Sequence, residues 1–234
     1  YAERALHEME AAVMALGESE AVPGESLRVG ALETTGDYLL PEVVARAVSE
    51  SRMQISVETL PALELQWAVA RAELDLAIGA LPAASVVAEP LFDEDLVLWA
   101  PPNHRLSNAR RARLAELEGV GVFCLSDASP LRALLNDGAG RAGIKLKVLA
   151  EFPSAEAVLR AANAARLPAI LPAPMLQLQH EQAHSSGWHA VALTNPRPHR
   201  TIALLRRKGR EENPALRAFV AHLNGVVGGL LKPE

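Results

Sequence analysis

The stretch Leu74-Asp-Leu-Ala-Ile-Gly79 decides the fold class of this chain. Apart from Asp75 it is apolar throughout, which indicates a strand that is buried on both faces. The preceding segment predicts a helix around Leu63, Trp67 and Ala70. Buried strands that follow helices are typical of a parallel sheet covered by helices on both sides.

The same alternation continues along most of the chain. Further predicted strands cover residues 27–31, 55–59, 95–100, 120–125, 144–152, 168–172, 188–193 and 201–205. Predicted helices cover 38–49, 175–183 and the segments that follow Ser129-Pro130, Ser154 and Asn213-Pro214. The pattern predicts two α/β units in tandem, joined near Pro101 and again near Arg200. Ligands of such folds bind in the cleft between units, at the carboxyl ends of strands.

The first segment has a different pattern. Apolar side chains recur at intervals of three and four residues, at Leu6, Met9, Val13 and Leu16. This spacing is the one by which one helix packs along another. The pattern stops at Gly17, and the segment has no globular core of its own. We therefore interpret residues 1–22 as the end of a longer helix that begins before Tyr1.

Composition restricts the class of protein. Half of the 234 residues are hydrophobic, 22% are charged and the net charge is −5, which predicts a folded globular protein. The basic runs Arg110–Arg113 and Arg206–Lys208 are too short for a nucleic-acid surface and are interpreted as solvated charge. No apolar stretch is long enough for a membrane span, and the charged amino terminus differs from a signal peptide. We expect a cytoplasmic protein without membrane contact.

Motifs of catalysis and cofactor binding are missing from the sequence. No dinucleotide-binding or phosphate-binding glycine loop follows a strand, and no Gly-x-Ser-x-Gly occurs. The glycines of Asp137–Gly140 end a predicted helix instead of opening one. Cys124 is the only cysteine, so no internal disulfide is possible, and its apolar surroundings predict a buried thiol. We expect neither an enzyme nor a cofactor.

Two groups of residues are candidates for a metal or catalytic site. His180 and His184 have the i, i+4 spacing of zinc ligands, but the glutamate that would follow the first histidine is missing. We interpret them as surface residues, with a metal site as the alternative. The acidic run Asp93–Asp95 stands at a strand entrance, and glycosidase-type chemistry is its weaker interpretation. The sequence therefore predicts no catalytic and no metal-binding residues.

Several stretches together resemble a known family. They are Leu27-Arg-Val-Gly-Ala-Leu-Glu-Thr-Thr-Gly-Asp-Tyr-Leu-Leu-Pro41, Ala70-Arg-Ala-Glu-Leu-Asp-Leu-Ala-Ile-Gly79, Glu89–Leu106, Ala169-Ile-Leu-Pro172 and Asn213–Phe219. Each is weak alone, but their order and spacing resemble the regulatory domain of LysR-type transcriptional regulators. The resemblance covers essentially the whole chain.

This resemblance implies a fold and an organisation. The fold would be two Rossmann-like subdomains of the type II periplasmic-binding-protein kind, with 26–100 and 203–234 in subdomain I and 101–202 in subdomain II. Residues 1–22 would end the linker helix. Family members bind DNA through an amino-terminal winged helix-turn-helix, which this sequence lacks. They form homodimers and homotetramers, and a small-molecule effector binds between the subdomains.

The resemblance also implies an effector site. Its predicted residues are Glu33, Thr34, Thr35, Leu60, Pro61, Ala62, Ser126 and Asp127. The threonine hydroxyls would bind the carboxylate of an organic acid or amino acid, and their alternative role is to cap a helix. The charges of Glu33 and Asp127 would oppose a carboxylate unless a cation compensates. Arg166 is a candidate cation, with a surface arginine as the alternative.

Three other functions remain open at this point. A solute-binding protein of periplasmic type shares the implied fold, but it would not need the apolar helical face formed by Leu6, Met9, Val13 and Leu16. An α/β enzyme would need a nucleophile or cofactor loop that the sequence does not show. A module that only mediates oligomerisation, with an unused pocket, is the third.

Overall fold

The structure, a computed structural model, describes residues 26–178, 187–209 and 213–230. The first elements are β1 (Ser26–Ala31), α1 (Glu33–Ser51), β2 (Gln54–Thr59), α2 (Ala62–Ala70), β3 (Leu76–Ala80) and the long strand β4 (Val87–Ala100). They are followed by β5 (Arg111–Arg113), a 3-10 helix (Leu114–Leu117), β6 (Gly121–Leu125), α3 (Pro130–Arg141), β7 (Lys147–Phe152) and α4 (Ala155–Ala165). The last are β8 (Ala169–Pro172), α5 (Ala173–Leu178), β9 (His189–Thr194), β10 (His199–Arg206) and α6 (Pro214–Leu230). The predicted alternation of strands and helices is confirmed.

The strands form one continuous path in the order β2-β1-β3-β10-β4-β8-β6-β7. β1 is parallel to β2 and β3, and β6 is parallel to β7 and β8. Between these groups lie β10 and β4, which are antiparallel to each other and to their outer neighbours. β9 pairs with β4 and β5. Two parallel α/β units are therefore joined through one antiparallel pair of strands.

Buried apolar side chains form two clusters, which we call core I and core II. Core I takes its side chains from residues 27–92 and 202–230, and core II from residues 96–193. Along β4 the division falls between Phe92 and Leu96. Tyr38, on α1, packs against both cores. The middle of β4, the start of β10 and the first turns of α1 thus meet where the two cores join, at a place we call the junction.

Helix α1 starts earlier than the sequence predicted. The expected start was Tyr38, but the helix runs from Glu33. Its N-cap is Leu32, whose side chain makes no capping hydrogen bond, so the alternative in which Thr34 or Thr35 caps the helix is wrong. Thr35 is fully buried at the junction, and its contacts there stabilise the first helical turn beyond what local propensity predicts.

Other helix starts follow their predicted capping residues more closely. Ser129 is the N-cap of α3, although its side chain makes no capping hydrogen bond. The Ser154 hydroxyl accepts a hydrogen bond from the Ala157 N–H at 3.3 Å. The Asn213 side chain accepts one from the Leu216 N–H at 2.7 Å. Short polar side chains thus bind free N–H groups at two of these three helix ends.

Some predictions concern residues outside the described ranges. The apolar seam of residues 1–22 and the pair His180 and His184 are among them. Within the described ranges, none of the helices has the length and apolar character needed to cross a bilayer. The same ranges hold no group of three or more His, Cys, Asp or Glu side chains able to bind a metal ion.

Candidate functional site

The carboxyl ends of β1 and β2 lie side by side, because the two strands are parallel neighbours. The Leu60 N–H donates to the Ala31 carbonyl at 3.1 Å, which holds the start of α2 beside the start of α1. Six predicted site residues follow these strand ends: Glu33, Thr34, Thr35, Leu60, Pro61 and Ala62. The structure therefore places all six at one edge of the sheet.

These residues differ in exposure. Glu33, Pro61 and Ala62 are exposed, and Thr34 is half-buried. Thr35 is fully buried. The two adjacent threonines therefore differ: Thr34 is partly accessible to solvent at the helix start, whereas Thr35 faces the protein interior at the junction.

Thr35 belongs to a buried network with Tyr38, Glu94 and Arg200. Its hydroxyl donates to Glu94 Oε1 at 3.2 Å and accepts from Arg200 Nη2 at 3.0 Å. The Tyr38 hydroxyl donates to the same Glu94 oxygen at 2.6 Å. Arg200 Nε donates to Glu94 Oε2, which makes an ion pair. Two hydroxyls and one guanidinium thus converge on a single carboxylate.

Secondary structure explains how these four side chains meet. Thr35 and Tyr38 are three residues apart on α1, so they lie on one face of the helix. Glu94 and Arg200 are directly opposite each other in the pairing of β4 with β10. Both strands pass through the junction, and the start of α1 packs over them. One helix and the two connecting strands therefore build the network.

The network is shielded from water. Glu94 is 0% exposed, and the Arg200 side chain is 14% exposed. Burial, followed by the charge of Glu94, raises the pKa of Tyr38 well above its ordinary value. The phenol therefore keeps its proton at neutral pH and stays a donor to the carboxylate.

The opposite face of β4 holds a second set of charges, which we call the exposed clamp. Successive strand residues point to opposite faces, so Asp93 and Asp95 point away from the buried network. Arg197 reaches Asp95 at 2.5 Å and 2.9 Å and Asp93 at 3.3 Å. The Thr201 hydroxyl donates to Asp93 at 2.9 Å. The acidic run is thus divided between two ion-pair systems, which argues against the catalytic interpretation.

The predicted residues of the second α/β unit follow β6. The Ser126 N–H donates to the Phe152 carbonyl at 2.9 Å, which places Ser126 beside the carboxyl end of β7. Asp127 is largely exposed and lies 3.5 Å from Arg132 Nη2. Within the described ranges, no hydrogen bond or ion pair connects Ser126 or Asp127 to Glu33, Thr34 or Thr35.

Arg132 is a buried cation of this second unit. Its side chain is 8% exposed, and Nη1 donates to Glu151 at 2.9 Å and to the Leu125 carbonyl at 3.0 Å. Its Nε donates to Asn136 at 2.9 Å. Together with the Asp127 contact, these partners take up its charge. Arg132 therefore supplies the compensating cation that the charge of Asp127 required.

Arg166 lies away from the strand ends that carry the predicted site. It is the C-cap of α4 and adopts a left-handed backbone conformation with φ of 52°. Helix α4 begins near the carboxyl end of β7, and its 11 residues extend for about 16 Å at the usual rise. This position favours the interpretation of Arg166 as a surface arginine.

The Cys124 thiol is buried in β6, as predicted. Burial raises its pKa to about 12, and the nearby Glu151 adds to this shift while Arg132 opposes it. A thiol with such a pKa is almost entirely protonated at neutral pH, so it is a poor nucleophile.

Sequence reasoning missed Tyr38, Glu94 and Arg200 as members of the site. The sequence pattern predicts Tyr38 as the start of a helix and Glu94 as part of an acidic run. A charged residue that folding buries needs a partner, but the run Asp93–Asp95 does not show which of its carboxylates becomes buried. The sequence does not say which of several arginines is that partner, since the pairing depends on how β10 aligns with β4.

The profile of the LysR substrate binding domain family matches residues 20–227. The chain belongs to this family. The predicted LysR resemblance and fold are thereby confirmed, and this match favours the LysR interpretation over a solute-binding protein.

Two relatives illustrate the match. A probable hydrogen peroxide-inducible genes activator of Mycobacterium avium is 28% identical over 213 residues, which are 89% of this chain and 66% of that protein. The HTH-type transcriptional regulator GltR of Bacillus subtilis is 27% identical over 226 residues, which are 95% of this chain and 74% of that protein. The chain therefore spans about two thirds to three quarters of the length of these relatives.

Solved structures show the same fold. A Corynebacterium glutamicum OxyR C206 mutant aligns with a TM-score of 0.72 at 18% identity, covering 98% of this chain and 72% of that one. The effector binding domain of QuiR in complex with shikimate aligns with a TM-score of 0.63 at 20% identity, covering 87% of this chain and 97% of that one. At these identities the likeness concerns the fold alone.

Proposed function

We propose that this LysR domain senses a small molecule between its two α/β units and thereby controls transcription by a longer, DNA-bound protein. The observation that carries the proposal is the placement of polar side chains at the carboxyl ends of parallel strands in both units. Such strand ends are where ligands of open α/β sheets bind. QuiR, whose domain has the same fold, binds shikimate.

We propose the effector site in its predicted composition, with a division of roles. Thr34 and Ser126 would donate hydroxyl hydrogen bonds to the effector from opposite walls. Leu60, Pro61 and Ala62 would supply apolar contacts from the start of α2. Subdomain I would comprise 26–100 and 203–234 and subdomain II 101–202, with the buried network between them.

The network would connect effector binding to the arrangement of the two units. Both connecting strands contribute a charged side chain to it, and α1 contributes two hydroxyls. A ligand that contacts Thr34 at the start of α1 would therefore act on the same helical turn that carries Thr35. DNA binding would reside in a winged helix-turn-helix outside this chain, and the protein would act in the cytoplasm.

We also propose that two copies pair through the edges of the strand path. β2 and β7 are its terminal strands, and each exposes an apolar side chain, Val57 at 48% and Leu149 at 45%. In a two-fold pair, the β2 edge of one copy would meet the β7 edge of the other, twice. Val57→Lys with Leu149→Lys should then turn a dimer into a monomer in light-scattering measurements, whereas the exposed change Leu167→Lys should not.

A peroxide-sensing thiol is not part of the proposal, although one relative is called a peroxide-inducible activator. Cys124 is the single cysteine of the sequence, and it is buried with a pKa of about 12. Peroxide reacts with thiolates that solvent can reach. Cys124 meets neither condition.

Thermal unfolding against a panel of small molecules tests the sensing role. The panel should contain carboxylates, amino acids, and uncharged polyols and amides. A ligand at a hundredfold excess over its Kd stabilises the fold by about 2.7 kcal/mol. Thr34→Ala should remove this shift, while Ser49→Ala, at the other end of α1, should keep it. The proposed site would be contradicted if Thr34→Ala and Ser49→Ala lose the ligand-induced stabilisation equally. It would also be contradicted if a ligand stabilises Thr34→Ala as much as the wild type.

A further inference from the structure

The buried network has the composition of an anion-binding site that is already filled. Two hydroxyl donors and a guanidinium converge on one carboxylate, as they would on a bound anion. That carboxylate is Glu94, a residue of the chain itself, and it is 0% exposed. Thr35 uses its hydroxyl in both directions, as donor to Glu94 and acceptor from Arg200.

Among the described residues at these strand ends, the arginines of the buried network and of α3 are already paired with carboxylates. Arg200 is paired with Glu94, and Arg132 is shared by Glu151 and Asp127. Glu33 adds an exposed carboxylate to the same edge. Among the described residues of both walls, each arginine named here therefore has a carboxylate partner.

Arg200 nevertheless keeps hydrogen-bonding capacity. Its Nε and Nη2 donate to Glu94 and Thr35, while no acceptor among the described residues contacts Nη1. A guanidinium whose charge is balanced by a carboxylate still has N–H donors. Such a donor suits a hydroxyl or carbonyl oxygen, because a neutral acceptor brings no charge close to Glu94.

We propose that Glu94 is a built-in anion that determines effector specificity: it occupies the place of an effector carboxylate and makes the cleft select an uncharged, hydroxyl- or carbonyl-bearing molecule. This inference rests on the proposed effector site and refines it, because the organic acid or amino acid expected from the sequence would face Glu94 while Arg200 and Arg132 are already paired with carboxylates. Glu94 acts here as a specificity-determining residue.

Removal of the built-in anion tests the inference without knowledge of the effector. Glu94→Ala leaves a cavity in which the donors of Arg200, Thr35 and Tyr38 have lost their acceptor. Acetate has the size and charge of the missing group. Sodium acetate should therefore raise the unfolding midpoint of Glu94→Ala in a saturable way, whereas sodium chloride at equal ionic strength should not.

The controls separate this effect from a general salt effect. Asp95→Ala removes a carboxylate from the neighbouring position on the opposite face, so its midpoint should be insensitive to acetate. The double variant Glu94→Ala with Arg200→Met should also lose the acetate response. The wild-type chain should show none. An acetate response of the wild type as large as that of Glu94→Ala would overturn the inference, as would a folded Glu94→Ala that ignores acetate.

Glu94→Gln provides a second test if the alanine variant does not fold. This change keeps the size of the side chain and removes its charge, so shikimate should bind the variant at least about tenfold more tightly than the wild type in titration calorimetry. Equal shikimate affinity of the two proteins would contradict the inference.

The two proposals can fail separately. An acetate response confined to Glu94→Ala, with no panel compound stabilising the wild type, would support the built-in anion and count against the sensing role. A wild type that binds carboxylates but not polyols or amides would support sensing and overturn the built-in anion.

Discussion

The two faces of β4 at the junction carry the same chemistry in opposite environments. On one face Glu94 pairs with Arg200 in the interior, where the carboxylate is 0% exposed and the arginine 14%. On the other face Asp93 and Asp95 pair with Arg197, and these three side chains are 34% to 48% exposed. Arg200 lies in β10, and Arg197 lies in the connection just before it. The two pairs differ most in access to water, although the buried carboxylate also accepts hydrogen bonds from Tyr38 and Thr35.

This difference should decide how much each pair matters. A solvated ion pair gains little, because water screens the charges and the side chains lose freedom. A buried pair costs much desolvation to form, but removing one partner leaves an uncompensated charge in the interior. Loss of the exposed clamp should therefore cost little stability. Loss of Glu94 or Arg200 alone should destabilise the fold strongly.

The largest effect is expected for Arg200→Met. The variant leaves Glu94 buried without its cation, which should lower the free energy of unfolding by about 3–5 kcal/mol. Arg197→Met, the matched change on the exposed face, should lower it by at most about 1 kcal/mol. Urea unfolding of both variants measures the two values. Similar losses of stability in both variants would show that burial does not determine how much each ion pair contributes.

A double replacement sharpens the first comparison. Glu94→Met combined with Arg200→Met removes both buried charges and keeps comparable volume. Its stability should recover to within about 1–2 kcal/mol of the wild type, because apolar residues often replace a buried ion pair without loss. If the double variant is less stable than Arg200→Met alone, the uncompensated charge is not the cause of the first effect.

The next largest effect is expected for Tyr38→Phe. This change keeps the ring between the two cores and removes one donor to the Glu94 carboxylate. A hydrogen bond to a charged group contributes about 1.5–3 kcal/mol, and urea unfolding should show a loss in this range. The tyrosine absorbance of the wild type provides an independent check. Tyr38, whose pKa is raised, should ionise at higher pH in the folded than in the unfolded protein.

Arg132→Met should give an intermediate loss of about 1–2 kcal/mol. Its guanidinium is buried, but its partners Glu151 and Asp127 are 40% and 74% exposed. Water can therefore solvate the carboxylates that the variant leaves behind, so the cost should stay near that of lost hydrogen bonds. A loss equal to that of Arg200→Met would mean that burial of the cation matters more than burial of the anion.

The smallest effect is expected for the coupling between Asp95 and Arg197. A double-mutant cycle with Asp95→Asn and Arg197→Met should give an interaction energy below about 1 kcal/mol. Because both side chains are exposed, this coupling should shrink further in 1 M sodium chloride, where charges are screened within about 3 Å. A coupling that persists in high salt would show that the exposed clamp, like the buried network, is not screened by solvent.

Much of the fold could be predicted from local sequence. The apolar run Leu74–Gly79 covers all of β3 except its last residue. Asn213-Pro214 and Ser154 mark the starts of α6 and α4, because capping is decided within a few residues. The start of α1 could not be predicted in this way. Its first turn is held by contacts of Thr35 with residues 59 and 165 positions away in the sequence, and local patterns do not contain that information.

The candidate site also has a part that local sequence predicts and a part that tertiary contacts decide. The positions of Thr34, Leu60 and Ser126 at strand ends followed from the sequence, because parallel neighbours bring their carboxyl ends to one edge. The sequence by itself thus determined the α/β class, the family and the placement of the proposed site residues at strand ends. Only the tertiary structure decided that Glu94 faces inward to Arg200 while Asp93 and Asp95 face outward to Arg197. Alternation along β4 separates the acidic residues, but the register with β10 and the packing of α1 determine which face is buried.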